Sequence, residues 1–203
     1  CFNMRVYFWL FLQISTILMA QEKLPYSAIP PAPESLNGGA IIVRMTQGLG
    51  YRFYWASKDL RPKDLAYRPS EAAASTQETL QHIYSLSLMI LNAASSLPNK
   101  RPLENIPEEY PALRQAILKN LEKAAQLFSE MNLETIQKIQ VVFERKGKTS
   151  SFPIWNLLNG PLSDAIYHTG QLVSFRRTSG NPIQTGMNVF LGETKEISPP
   201  NKK

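Results

Sequence analysis

The chain has 203 residues, 43% of them apolar, which suffices for one compact domain with an appendage. Its 22 Lys and Arg against 16 Asp and Glu give a formal charge of +6, but the basic residues are scattered along the sequence, which argues against a nucleic-acid interface. The one cysteine is Cys1, so neither a disulfide framework nor a cysteine-based zinc site is expected.

Residues 1–20 differ in kind from the rest of the chain. Cys1–Asn3 precede Met4 and are assigned no chemistry; Met4-Arg5 then gives a positive start, Val6 to Leu18 is almost wholly apolar, and Ala20 precedes Gln21-Glu22-Lys23. This is the plan of a secretory signal peptide cleaved after Ala20. A bilayer-spanning helix needs about 20 apolar residues, and this run is shorter. The reading is therefore an exported protein, periplasmic or secreted, that meets the membrane only through this segment. Residues 21–40 hold Pro25, Pro30, Pro31, Pro33, Gly38 and Gly39, which sustain neither helix nor inner strand and describe an arm or linker.

Residues 41–182 are read as the folded unit. Ile41 to Leu60 has helical spacing of Ile42, Met45, Leu49, Phe53 and Trp55, weakened by Gly48 and Gly50. After a link over Arg61 to Pro69, Ser70 or Ser75, the latter with Glu78 three positions on, supplies capping chemistry for a second helix that runs to about Leu97. Pro98 to Pro111 is a proline-rich connection, and Ala112 to Met131 predicts a third helix with Leu113, Ile117, Leu121, Ala124 and Leu127 in register. Ile136 to Phe143 partly alternates and predicts one short extended segment, followed by turn-like residues to Ser151. Helical spacing resumes over Phe152 to Thr178, with a kink or a second start at Gly160-Pro161, and ends at Gly180-Asn181-Pro182. Residues 183–203 read as a polar tail, Arg176-Arg177 as a solvated helix end, and Trp55, Phe152 and Trp155 as core. The expected fold class is all-α, a four-helix bundle with its functional residues on the inward faces.

The sequence holds only two histidines, and both fall on regular predicted helices. Asp164 and His168 are four apart, one turn apart on one helical face. A carboxylate oxygen and an imidazole nitrogen each bind zinc or a similar ion at about 2.0–2.2 Å, and His82 would supply a third donor from another helix. The same spacing also serves a plain hydrogen-bonded pair, which is its commoner use. No Ser-His-Asp set can be composed, because no strand-turn-helix serine elbow is present.

The run Leu65-Ala-Tyr-Arg-Pro-Ser, followed by Ser75-Thr-Gln-Glu-Thr-Leu-Gln-His-Ile, resembles the first metal-ligand region of the DinB-like superfamily. Asp164-Ala-Ile-Tyr-His168-Thr-Gly170-Gln171-Leu resembles that family's His-x-x-x-His-x-Gly-Gln helix. The resemblance spans about residues 41–182 and implies a four-helix bundle of DinB-like type that binds a divalent metal through three side chains. Carried onto this chain, the ligands are His82 and His168, with Asp164 where the family has histidine. A His/Asp/His set suits zinc, nickel, manganese or iron(II) without distinguishing them. Glu78 and Gln171 are candidates to support the ligands, Tyr84 and Tyr167 to line a cavity, and Gly170 to let helices approach. The resemblance implies a metal-dependent transferase or hydrolase acting on a small molecule, with homodimer formation common in the family. The alternative is a non-enzymatic metal- or ligand-binding envelope protein, or a dimeric structural bundle.

Overall fold

The computed structural model describes residues 23–195; the predicted signal segment, residues 1–20, lies outside them. Helix α1, Gly38–Ala56, starts where the Asn37 side chain accepts the Ala40 N–H at 2.9 Å. A single turn, α2 (Pro62–Leu65), precedes α3, Thr76–Ala94, which opens on the expected capping box: Ser75 Oγ accepts the Glu78 N–H, and the Glu78 carboxylate accepts the Ser75 N–H. Helix α4 covers Tyr110–Ser129 with Pro111 in its first turn, where a missing N–H costs nothing, and α5 is the short Leu133–Gln137. The last helical stretch is α6, Ile154–Leu157, a π-helical turn, Leu158–Leu162, and α7, Ser163–Thr178. Gly160-Pro161 thus falls inside a π-helical turn between α6 and α7, a wide turn that accommodates the N–H that Pro161 lacks.

Helices α1 and α3 each lie against both α4 and α7. Their apolar stripes, among them Leu49, Phe53, Leu80, Ile83, Ile90, Leu113, Ile117, Leu121, Phe128 and Leu172, form one continuous core. No helix among the described residues is long and apolar enough to cross a membrane.

Strand content exceeds the one extended segment that the sequence suggested. Strand β1 (Asn99–Arg101) lies parallel to β2 (Gln140–Arg145), which pairs antiparallel with β3 (Lys148–Pro153). The residues that read as a turn are mostly β3; the turn itself is Lys146-Gly147, both at positive φ, as a two-residue hairpin loop requires. Residues 183–195, read as tail, carry a second hairpin of β4 (Met187–Asn188) and β5 (Glu193–Thr194). It is tied to α1 because the Tyr51 hydroxyl donates to Glu193 O at 2.6 Å and lies 2.8 Å from Thr194 Oγ1.

Of the two glycines that weakened the first helix, Gly50 has a packing reason. The arm lays the buried Tyr26 ring across α1 at Gly50, where a Cβ would stand 2.4 Å from Tyr26 Cδ2. The arm is further held by Trp55 Nε1–H donating to Ser27 O and by the Ile29 N–H donating to Gly192 O. Gly50→Ala is therefore expected to expel Tyr26 and cost about 1–3 kcal/mol of unfolding free energy despite alanine's better helix propensity, measurable by urea denaturation.

Three assignments of burial need correcting, two to the core and one to the surface. Trp55 is buried, but Trp155 is 68% exposed and Phe152 41% exposed, since the short α6 and the edge of β3 turn them outward. Arg176, by contrast, is no solvated helix end. It is buried and donates through Nη1 to the carbonyls of Trp55, Ala56 and Lys58, closing the C-terminus of α1. Beside it Asp64, also buried, accepts from Arg61 Nε and Nη2 at 2.8 Å each, from the Ser179 hydroxyl and from the Asn181 amide.

Candidate metal centre

Helices α3 and α7 pack against each other, and that contact brings the candidate ligands together. His82 Nε2 lies 3.1 Å from Asp164 Oδ2, and His168 Nε2 lies 3.3 Å from Asp164 Oδ1. The two imidazoles meet edge to face with centroids 4.5 Å apart. Each residue offers one donor atom such that all three lie within 4.8 Å of one another, the geometry of a tridentate site. Two donors bound at about 2.0–2.2 Å and mutually cis are separated by about 2.8–3.6 Å, which brackets both measured distances. Each histidine is therefore near enough to one Asp164 oxygen for the three residues to be able to hold a divalent cation.

The site is half open. The side chains of His82, Asp164 and His168 are 47%, 40% and 22% exposed, so a cation held by all three would keep a face toward solvent. His168 is the inner corner, oriented by Gln171, whose Oε1 lies 2.7 Å from His168 Nδ1. With Gln171 accepting, Nδ1 carries the proton and the Nε2 lone pair is left for a ligand bond. Gln171 thus touches a candidate ligand directly. Glu78 does not: its carboxylate is committed to Arg68, with an oxygen 2.8 Å from that guanidinium, and to the Ser75 N–H, contacts that hold its pKa down at about 2. One helical turn separates it from His82, but its bonds are directed to the α3 cap.

The Tyr167 ring is 5.3 Å from that of His168 and largely exposed, whereas Tyr84 packs on the core. Gly170 has open space where a Cβ would stand, so it provides no close helix approach. Beside the triad opens a groove of about 430 Å³, lined by His82 and Asp164, by Leu86 and Met89 of α3, by Val141, Phe143 and Phe152 of the sheet, and by the π-helical turn. Sequence reading missed this wall. The alternation Val141-x-Phe143 in β2 was its signal, but the partner strand β3 lacks the apolar alternation that would have announced a sheet face.

The arrangement of the helical core, with α1 and α3 each packed against α4 and α7, is that of the DinB-like fold. Among solved structures, the chain is similar to YjoA, a DinB-like protein from Bacillus subtilis, with a TM-score of 0.52 and 16% identity over 69% of this chain and 92% of that one. That likeness bears out the coarser expectation, a DinB-like fold. No protein-family model matches the chain, and no curated protein matches it.

Proposed function

We propose that this protein is an exported four-helix bundle of DinB-like type that binds a divalent cation through His82, Asp164 and His168 and acts on a small molecule as a metal-dependent transferase or hydrolase. The observation that carries this reading is the convergence of three ligand-competent side chains, the first two of them 82 residues apart, onto one half-open point beside an apolar groove. The cation would supply a Lewis acid at the mouth of that groove. The chain's own residues do the rest: Gln171 fixes the His168 tautomer, Asp164 offsets one of the two charges of the ion, and Leu86, Met89, Phe143 and Phe152 shield an apolar body from water. Export rests on the apolar run from Val6 to Leu18 ahead of Ala20.

The test is elemental analysis of protein beginning at Gln21, purified without chelators. About one equivalent of a divalent metal is expected, and His82→Ala is expected to remove it while leaving the helical circular dichroism unchanged, since that side chain is half exposed. Metal-free wild-type protein that takes up no added zinc, nickel, manganese or iron(II) would overturn the reading and leave a hydrogen-bonded His-Asp-His cluster.

A further inference from the structure

The sheet places three cations in one row. Arg101 of β1 is the register partner of Arg145 of β2, which is in turn the partner of Lys148 of β3. Register partners project from the same face, and like charges side by side there disfavour the pairing unless something neutralises them. Among the described residues Arg101 makes no ion pair. Glu104 and Glu144, which line an adjoining groove with it, lie outside ion-pair distance. Its guanidinium is instead held by neutral oxygens: Nη2 donates to Ser85 Oγ at 3.1 Å, and Nη1 donates to Lys100 O at 3.3 Å. Partial burial disfavours its charged form, so an incoming anion would meet a poorly solvated cation.

The location of this charge gives it meaning. Ser85 follows His82 by three residues on α3, an axial rise of about 4.5 Å, so the Arg101 anchor stands one turn from the candidate metal ligand. The face of β2 that carries Arg145 also carries Phe143 and Val141 at two-residue steps. Phe143 lines both the groove of the triad and the neighbouring cleft that holds Arg101, Arg145, Lys146 and Ser150, and the Arg101 guanidinium carbon lies 5.8 Å from its ring centroid. One path therefore runs from His82 and Asp164, across an apolar wall, to a cationic end.

We propose that this path binds an amphiphilic organic acid, its oxyanion on Arg101 and Arg145, its apolar body against Phe143, Leu86 and Met89, and its other end at the His82/Asp164/His168 point. The identity of the reacting end rests on the metal-site reading; the anion end stands without it. Arginine's planar fork suits a carboxylate in two-point contact, and a neutral congener of the same length leaves that fork unpaired.

Calorimetric titration of octanoate and of octan-1-ol into the zinc-loaded protein, and into protein dialysed against chelator, tests this. Octanoate is expected to bind at least tenfold more tightly than octan-1-ol in both preparations. Arg101→Met should erase the difference, Arg101→Lys restore part of it, and the exposed Arg145→Met, which leaves β1 on α3, reduce it several-fold. Equal binding of acid and alcohol would overturn the proposal. So would octanoate binding that vanishes on chelation yet survives Arg101→Met, since the carboxylate would then sit on the metal and the metal reading alone would stand. Failure to take up metal, with the Arg101-dependent preference intact, would sink the metal reading and leave the anion site.

Discussion

Asp64→Ala is expected to lower the unfolding free energy by about 3 kcal/mol, the lower part of the range for breaking a buried charge network, since Arg61 is partly exposed and recovers water. The carboxylate is the hub joining α2 to the end of α7: two bonds from Arg61, one from the Arg61 N–H, one from Ser179 and one from Asn181. The bonds from Arg61 are the largest cause holding its pKa far below the ordinary carboxylate range; burial opposes them, and Ser179 and Asn181 add to them. A depressed folded-state value contributes stability that is present above the unfolded value of about 3.9 and is lost as pH falls toward the folded one. Wild-type stability should thus fall as pH drops below about 4. In Asp64→Asn, which keeps the shape but not the charge, that part of the pH dependence should be absent. Urea denaturation between neutral and acidic pH measures both, and equal pH slopes in the two chains would show that Asp64 is not the group responsible.

The hub was not legible in the sequence, because its two halves, Arg61 with Asp64 and Ser179 with Asn181, lie more than a hundred residues apart and each looks ordinary where it stands. Arg176 reads as a cation at a helix end until α7 is seen to deliver it to the open carbonyls of α1. What could be read were local features with periodic or capping signals: the helices, the Ser75/Glu78 box, and the one-turn spacing of Asp164 and His168. The motif resemblance added the long-range join between His82 and α7, which spacing alone could not supply. Gly50 misled for a physical reason, since propensity counts its cost within the helix and not the Tyr26 ring that it admits. The sheet was underread because β1 is three residues long and β3, Lys148–Pro153, is exposed along its length, so neither carries an apolar alternation.

Asp164 is the corner that meets both histidines, and replacing it separates a metal centre from a hydrogen-bonded cluster. Asp164→Ala is expected to weaken cation binding by more than the roughly 10–100-fold that loss of a supporting residue causes, because it removes the donor lying between the two imidazoles. Asp164→His should keep stoichiometric binding. Metal binding requires a deprotonated ligand, and below the ordinary imidazole range of about pH 6.5 a histidine must release its proton whereas a carboxylate is generally ionised already. Replacing a carboxylate ligand by an imidazole thus adds one ligand atom for which protons compete in that range. The pH dependence of zinc affinity, measured by competition with a chromophoric chelator under mildly acidic conditions, should accordingly steepen in Asp164→His. An unchanged slope together with unchanged affinity would place the cation away from position 164 and return His82, Asp164 and His168 to a structural role. A steeper slope, together with the loss of affinity in Asp164→Ala, would identify Asp164 as a ligand.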